Sequence, residues 1–374
     1  MKILSIFGTR PEAIKMAPVI KSIEKHSSLT SIVCSTGQHL EMLNQVIDFF
    51  NIHLDYEINA MSKNQTLNDL TLNLLENIQK ILAKAKPDLV LVHGDTTTTF
   101  AAAYSSFLSG IKVGHIEAGL RSGNIKSPWP EEANRKLTSV ISEYHFAPSL
   151  RAKNHLIKEG VNKKKILITG NTVVDALLMA EKTLNTDLNL SINLQKKFNY
   201  LKKYKKFILV TVHRRESFGD NLLNICEALA NIAHFNHEIA LVIPVHLNPN
   251  VRKVIFTNLN EIENIFLVEP LNYSSFIYLM KNCYFLLTDS GGIQEEAPSF
   301  SKPVIVLRDV TERPEGVEAG CLELIGTNKD TIFLKAQELI NDKHKYKKMT
   351  NIVNPYGDGN ASKKIVEFIL KIQS

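Results

Sequence analysis

Leu286-Leu287-Thr288-Asp289-Ser290-Gly291-Gly292-Ile293-Gln294-Glu295-Glu296-Ala297-Pro298-Ser299 is the stretch from which the chain is best understood. Apolar residues from Tyr284 to Leu287 predict a buried strand, Ser290-Gly291-Gly292 a tight turn, and Ile293 to Phe300 the first turns of a helix. A strand that feeds a helix through two glycines makes a seat for phosphate. The glycines admit a ligand close to the backbone, the free N–H groups of the first turn point at it, and the helix dipole favours negative charge. Glu296, one turn further in, is placed to accept hydrogen bonds from sugar hydroxyls. The same pattern also describes an ordinary strand-to-helix turn with Ser290 as N-cap, so the rest of the chain must decide.

On both sides of this stretch, runs of Val, Ile and Leu alternate with helical patterns. Strands are predicted near Ile3–Phe7, Ser31–Ser35, Leu89–His93, Val113–Glu117, His145–Ala147 and Ile166–Thr169, and again at Phe207–Val212, Ala240–Val245, Ile265–Val268, Tyr284–Thr288 and Val304–Leu307. This is the rhythm of parallel sheets with crossover helices. The expected organisation is α/β: residues 1–170 form one Rossmann-like domain, 171–206 a linker or hinge, and 207–360 a second Rossmann-like domain. A final helix, Ala361 to Ile372 within 361–374, returns to the first domain. Doubly wound domains bind ligands outside the carboxyl ends of their strands, so the expected site is an interdomain cleft lined by strand ends.

A chain of 374 residues with 44% apolar content can fill two cores. The net charge of +6 is mild, and the Lys163-Lys164-Lys165 and Lys202 to Lys206 runs read as solvated surface, so nucleic acid is not an expected partner. A modest positive field still suits an anionic small substrate. Cys34, Cys226, Cys283 and Cys321 are scattered and form no CxxC pair or His/Cys cluster, so neither a zinc site nor a disulfide framework is expected. No apolar run is long enough for a signal-peptide core or a membrane span, which together with the cysteines predicts a cytoplasmic protein.

The polar motifs fall at predicted strand ends. Gly8-Thr9-Arg10-Pro11-Glu12-Ala13-Ile14-Lys15 follows the first strand, with Pro11 suited to a helix start and Arg10 able to bind a diphosphate bidentately. Only one glycine is present there, so the dinucleotide fingerprint is missing and NAD is not expected. Asp95, in His93-Gly94-Asp95 before Thr96 to Thr99, stands where it can either cap a helix or serve a ligand. Glu117 ends an apolar strand, which is uncommon for a carboxylate unless it is paired or used. Glu131, after Trp129-Pro130, opens another helix, where an acid is normal start chemistry. In the second half, His213-Arg214-Arg215 and Val245-His246 place cations and histidines at strand ends, as a polyanion would require, and Arg313 follows the strand next to the glycine pair.

These strings carry a resemblance. FGTRPEAIKMAP, LVHGDTTTT, GHIEAGLRSG, PWPEEANR, HRRESFG, PVHLNPNVR, LTDSGGIQEEAPS, RDVTERPEG and NPYGDG, spread from Phe7 to Gly359, resemble the non-hydrolysing bacterial UDP-N-acetylglucosamine 2-epimerases. The resemblance implies two Rossmann-like domains in the glycosyltransferase-B (GT-B) arrangement and a cytoplasmic homodimer. It also implies C2 epimerisation between UDP-N-acetylglucosamine and UDP-N-acetylmannosamine through a 2-acetamidoglucal, without NAD or metal, supplying N-acetylmannosamine units for cell-surface polysaccharide. It assigns catalysis to Asp95, Glu117, Glu131 and His213. UDP-sugar binding falls to Arg10, Lys15, Asp95, Glu117, His213, Leu271, Phe276, Ser290, Gly291, Gly292, Glu296 and Arg313. A second, activating UDP-N-acetylglucosamine is implied at Gln38, Gln65, Glu131, Arg214 and His246, although Glu41 and Asn64 depart from some relatives. Three rivals share these motifs: a hydrolysing epimerase that releases UDP and N-acetylmannosamine, an epimerase for a modified sugar, and a glycosyltransferase of the same fold. A non-catalytic nucleotide-sugar regulator fits less well, because binding an anion gains nothing from three added carboxylates.

Overall fold

A computed structural model of the chain describes every residue except 38–39, 62–64, 215–216 and 374; the side chains of 40–42 also lie outside the description. The chain divides into two compact units, Met1–Met179 with Tyr356–Ser374, and Ala180–Pro355. Two α/β units with parallel sheets agree with the expected fold class, while the division falls at 179/180 and 355/356 and leaves no separate linker.

The first unit contains β1 (Lys2–Phe7), β2 (Thr30–Ser35), β3 (Tyr56–Glu57), β4 (Leu89–His93), β5 (Lys112–Ile116), β6 (Tyr144–Ala147) and β7 (Ile166–Ile168). All pair in parallel, in the order β3-β2-β1-β4-β5-β6-β7. The second unit contains β8 (Lys206–Thr211), β9 (Ile239–Pro244), β10 (Ile265–Val268), β11 (Leu286–Thr288), β12 (Val304–Val306) and β13 (Leu322–Leu324), in the order β10-β9-β8-β11-β12-β13. Strands covered on both faces are apolar throughout rather than alternating, and β1, β4 and β8 are buried along nearly their whole length.

Periodicity does not predict β3 or β13. Each has only two or three residues, and Glu57 and Glu323 break their apolar character. Helices Thr172–Thr186 and Leu188–Lys197 fill most of the stretch 171–206, the second begun by Asp187, whose carboxylate accepts from Leu190 N at 3.0 Å. Helix Ala361–Gln373 lies in the first unit, where Asp175 accepts from Ala361 N, Ser362 N and Ser362 Oγ at 3.1, 2.8 and 2.6 Å and so caps its start.

In each unit the strand order reverses beside the first strand, between β1 and β4 and between β8 and β11. Loops leaving neighbouring carboxyl ends diverge there and open a crevice. The motif loops after β1, β4 and β5 in one unit, and after β8 and β11 in the other, leave these ends.

Tyr204 interrupts the second lysine run, but its ring packs edge-on against Phe266, with centroids 5.7 Å apart. Among the described residues no helix is long and apolar enough to cross a membrane, and no group of His, Cys, Asp or Glu could hold a metal ion.

Candidate active site

In the first unit, the turn after β1 is locked by one carboxylate. Helix Arg10–Ile23 opens with a capping box, in which Thr9 and Glu12 satisfy each other's free donors. Glu12 does more than cap. Its Oε2 accepts from Gly8 N, Thr9 N and Thr9 Oγ1 at 3.0, 2.8 and 2.8 Å, and its Oε1 from Thr96 Oγ1 and Thr99 Oγ1 at 2.6 and 3.0 Å. Thr96 and Thr99 belong to the turn after β4, so Glu12 ties the Arg10 loop to the Asp95 loop. Burial raises the Glu12 carboxyl, and these hydrogen bonds oppose the rise. Gly8 is required by close packing, since a Cβ there would lie 2.3 Å from Thr36 Oγ1 and 2.4 Å from Thr98 Oγ1.

Asp95 is not the cap of the next helix. Thr96 caps helix Thr97–Leu108 by accepting from Thr99 N at 3.2 Å, which releases the Asp95 carboxylate. That carboxylate pairs with Arg135 at 2.6 Å, and Arg135 also holds the buried Glu132 at 3.1 Å. Asn134 donates to Asp95 O at 2.9 Å. Arg135, Glu132 and Asn134 lie on helix Glu131–Ile141, so that helix fixes Asp95. Pro130 occupies the cap position and Glu131 the first helical one. Glu131 Oε2 is buried without a hydrogen-bond partner among the described residues.

Strand β5 ends at Ile116, one residue short of the sequence expectation, because Glu117 adopts φ +64°, the left-handed region. A β-carbon makes that conformation unfavourable by about 1–3 kcal/mol, so surrounding contacts must hold it. Lys15 forms an ion pair with Glu117 Oε2, Asn171 Nδ2 donates to the same oxygen at 2.8 Å, and His93 Nε2 lies 3.7 Å away. Asn171 was not singled out by the sequence, although it follows β7 in the same way that the chosen residues follow their strands.

Three buried histidines line these strand ends. His115 and His145 are register partners on β5 and β6, and His93 ends β4. Burial lowers His93 to about 4, with Glu117 opposing and Lys15 assisting; it lowers His115 to about 3 and His145 to about 4. The sign follows from linkage. Unfolded histidine binds a proton below its ordinary value of 6.5, whereas these remain neutral in the fold until about 4, so stability is full above pH 6.5 and falls as pH drops towards 4. Each histidine contributes a slope of up to about 1.4 kcal/mol per pH unit. Urea unfolding between pH 6.5 and 5 should be visibly flatter in His115→Gln; an unchanged slope would contradict the assignment.

In the second unit, β11 spans Leu286–Thr288 and the helix begins at Gly291, two residues earlier than expected, and continues past Glu296 as a 3₁₀ turn. Ser290 sits at the N-cap with extended backbone but makes no side-chain capping bond. The ordinary-turn reading therefore fails to account for its hydroxyl. A Cβ on Gly291 would lie 2.9 Å from Arg313 Cζ, so the bare glycine allows that guanidinium to lie against the turn. A Cβ on Gly292 would meet nothing within 4 Å. Arg313 Nε donates to Glu295 at 3.0 Å, and Arg308 holds Glu312 at 2.9 Å. Burial opposes ionisation of Glu312, but Arg308 and Arg313 outweigh it and keep the carboxyl at about 2.

His213 follows β8, its ring stacked on His246 with centroids 5.6 Å apart. Burial lowers its pKa, against the nearby Asp289 carboxylate. Glu296 and Leu271 are buried, Phe276 half-buried on the first turn of helix Tyr273–Asn282, and Arg10 and Arg214 half-buried. Gln65 is half-buried, with Nε2 3.0 Å from Met61 Sδ, and His246 Nδ1 accepts from Asn248 N at 3.1 Å. Gln38 and Asn64, and the side chain of Glu41, lie outside the described residues.

The profile of the family described as UDP-N-acetylglucosamine 2-epimerase matches residues 21–370. The UDP-N-acetylglucosamine 2-epimerase of Neisseria meningitidis serogroup A is 51% identical over 371 residues, covering 99% of this chain and 100% of that protein. The crystal structure of the Neisseria meningitidis enzyme bound to UDP-GlcNAc matches with a TM-score of 0.94, over 99% of this chain and 100% of that one, at 51% identity. That of the Methanocaldococcus jannaschii enzyme in complex with UDP-GlcNAc and UDP matches with a TM-score of 0.84 at 36% identity, over 99% and 100%.

Proposed function

The chain belongs to the UDP-N-acetylglucosamine 2-epimerase family, and we propose on that premise that it interconverts UDP-N-acetylglucosamine and UDP-N-acetylmannosamine by elimination and re-addition of UDP. The protein is an isomerase. The C2 proton beside the acetamide is very weakly acidic, so its loss is coupled to departure of UDP from C1, giving 2-acetamidoglucal. Reprotonation of C2 from the other face and return of UDP to C1 complete the inversion. Every proton and electron pair that leaves is returned, so the reaction is redox-neutral overall, and in this reading it runs without NAD or metal.

The first unit supplies acid and base from Asp95, Glu117 and Glu131. What carries this reading is the state of these groups: Asp95 is excused from capping by Thr96, Glu117 is held at φ +64° by Lys15 and Asn171, and one Glu131 oxygen is buried with no hydrogen-bond partner among the described residues. A base and an acid are effective when fixed within reach of the proton they move. Arg10 and Lys15 add cations to the UDP-binding set. The second unit holds UDP: Ser290, Gly291, Gly292, Arg313 and His213 bind the diphosphate, Glu296 the ribose, and Leu271 and Phe276 flank the base. Donors aimed at a leaving diphosphate stabilise the transition state more than the ground state, because charge grows there as the bond breaks.

The test is proton NMR in deuterium oxide. UDP-N-acetylmannosamine should form with deuterium at C2 and without accumulating UDP. Free N-acetylmannosamine would instead establish the hydrolysing reaction.

A second UDP-N-acetylglucosamine at Gln38, Gln65, Glu131, Arg214 and His246 acts as activator in this reading, supported by the contact of His246 with the His213 ring. The protein works as a homodimer. Helices Leu67–Ala85, Thr97–Leu108 and Glu131–Ile141 pack side by side and expose Leu72, Phe107, Leu108, Leu137 and Val140, a concentration of apolar surface that association would cover. Its place is the cytoplasm, in keeping with four free, buried thiols.

A further inference from the structure

Asp289 stands inside the stretch that best explains the chain, yet neither glycine-turn nor family reasoning gives it work. It is fully buried at the end of β11. One oxygen, Oδ2, accepts from His213 N at 2.9 Å, Arg214 N at 2.8 Å and Ser217 Oγ at 3.0 Å, so it folds the loop after the neighbouring strand β8. The other, Oδ1, is buried without a hydrogen bond of good geometry among the described residues and lies 3.4 Å from His213 Nδ1. A buried carboxylate oxygen is costly to leave unmatched, and the imidazole N–H is the donor within reach. The His213 side chain is 40% exposed, which leaves its far edge open.

We propose that Asp289 is a positioning residue that fixes His213 as the Nδ1–H tautomer and so presents Nε2 to the diphosphate. The inference rests on the assignment of His213 to the diphosphate end of the substrate. One oxygen sets the backbone that carries the ring, and the other selects which ring nitrogen bears the proton. Among the described residues, the remaining groups facing the ring are His246, stacked on it at 5.6 Å, and Arg214, next in the chain. Both are cationic when protonated and oppose a charge on His213, as burial does; among the described residues Asp289 is the group that favours its cationic form. A diphosphate arriving at Nε2 adds a second anion. The ring then takes a proton from solvent at Nε2 and becomes an imidazolium between carboxylate and phosphate, matched to the charge that UDP gains as it leaves.

Long-range proton–nitrogen NMR correlation on the full chain, labelled at histidine nitrogen, reads the tautomer directly, and His213→Asn identifies the signal. Free wild type should carry hydrogen on Nδ1 alone, and addition of UDP should protonate both nitrogens. In Asp289→Asn the side-chain oxygen keeps the backbone bonds, while the amide donates to Nδ1 and drives hydrogen to Nε2. kcat should fall on the order of 10⁴-fold, as when the carboxylate of a catalytic histidine pair is replaced by its amide, while KM changes by less than about threefold, because an orienting residue acts on the transition state. Hydrogen on Nε2 in the free wild type overturns the proposal without any variant. So does a folded Asp289→Asn with unchanged tautomer or kcat. Should the wild type fail to epimerise, the tautomer still decides the role of Asp289, so the two readings fail separately.

Discussion

Glu117→Gln is expected to lower kcat on the order of 10³-fold, the loss typical of removing a positioned acid or base, while affinity for UDP changes only a few-fold. The residue meets the conditions for such a role in an unusual way. Its side chain is 9% exposed, its backbone is in the left-handed region, and Lys15 and Asn171 both engage the same oxygen, Oε2. Glutamine preserves shape and can still accept from Asn171, so the fold of the turn survives. It cannot take a proton from carbon, and it removes the negative charge that faces the Lys15 ammonium. The residual reaction in deuterium oxide should show no deuterium at C2 on the wild-type timescale, and titration calorimetry with UDP reports binding separately. Turnover within tenfold of wild type would remove Glu117 from the chemistry.

The second large effect concerns stability. Glu12→Leu should destabilise the first unit by about 3–5 kcal/mol, because several donors in a closely packed turn lose a shared acceptor at once. The donors are Gly8 N and Thr9 N with the hydroxyls of Thr9, Thr96 and Thr99. Glu12→Gln should be far milder, at about 1 kcal/mol, the scale of one altered hydrogen bond. Its oxygen can replace Oε2 against the two backbone groups, and its amide can face Thr96 and Thr99, whose hydroxyls accept as readily as they donate. Urea unfolding compares the two variants. Equal destabilisation would mean that packing volume, not the hydrogen-bond hub, is what Glu12 supplies. Because Glu12 joins the Arg10 and Asp95 loops, activity in Glu12→Leu should fall even where the protein remains folded.

Most of the candidate site was legible because it is encoded locally. Arg10, Asp95, Glu117, His213 and the glycine pair each end an apolar run, and a parallel strand must deliver its next residues to the same edge of the sheet. Ser290 was ambiguous for the opposite reason: cap and ligand-binding serines share one sequence pattern, and only the missing capping bond separates them. Asp95 was ambiguous in the same way until Thr96 proved to be the cap. Asn171, Arg135 and Asp289 were missed because their work depends on partners far along the chain.

The sequence by itself determined two parallel α/β units, the strand ends that carry polar loops, and a glycine turn between a strand and a helix, since period, turn residues and caps are properties of neighbouring residues. Tertiary structure alone decided which loops meet. Lys15 reaches Glu117 across 102 positions, Asn171 reaches it across 54, and Asp289 reaches His213 across 76. Those pairings follow from strand order, with β1, β4, β5, β6 and β7 in a row and β8 beside β11, and a strand's own periodicity carries no record of which strand lies next to it. The role of Asp289 in the opening stretch therefore became visible only when β11 was placed against β8.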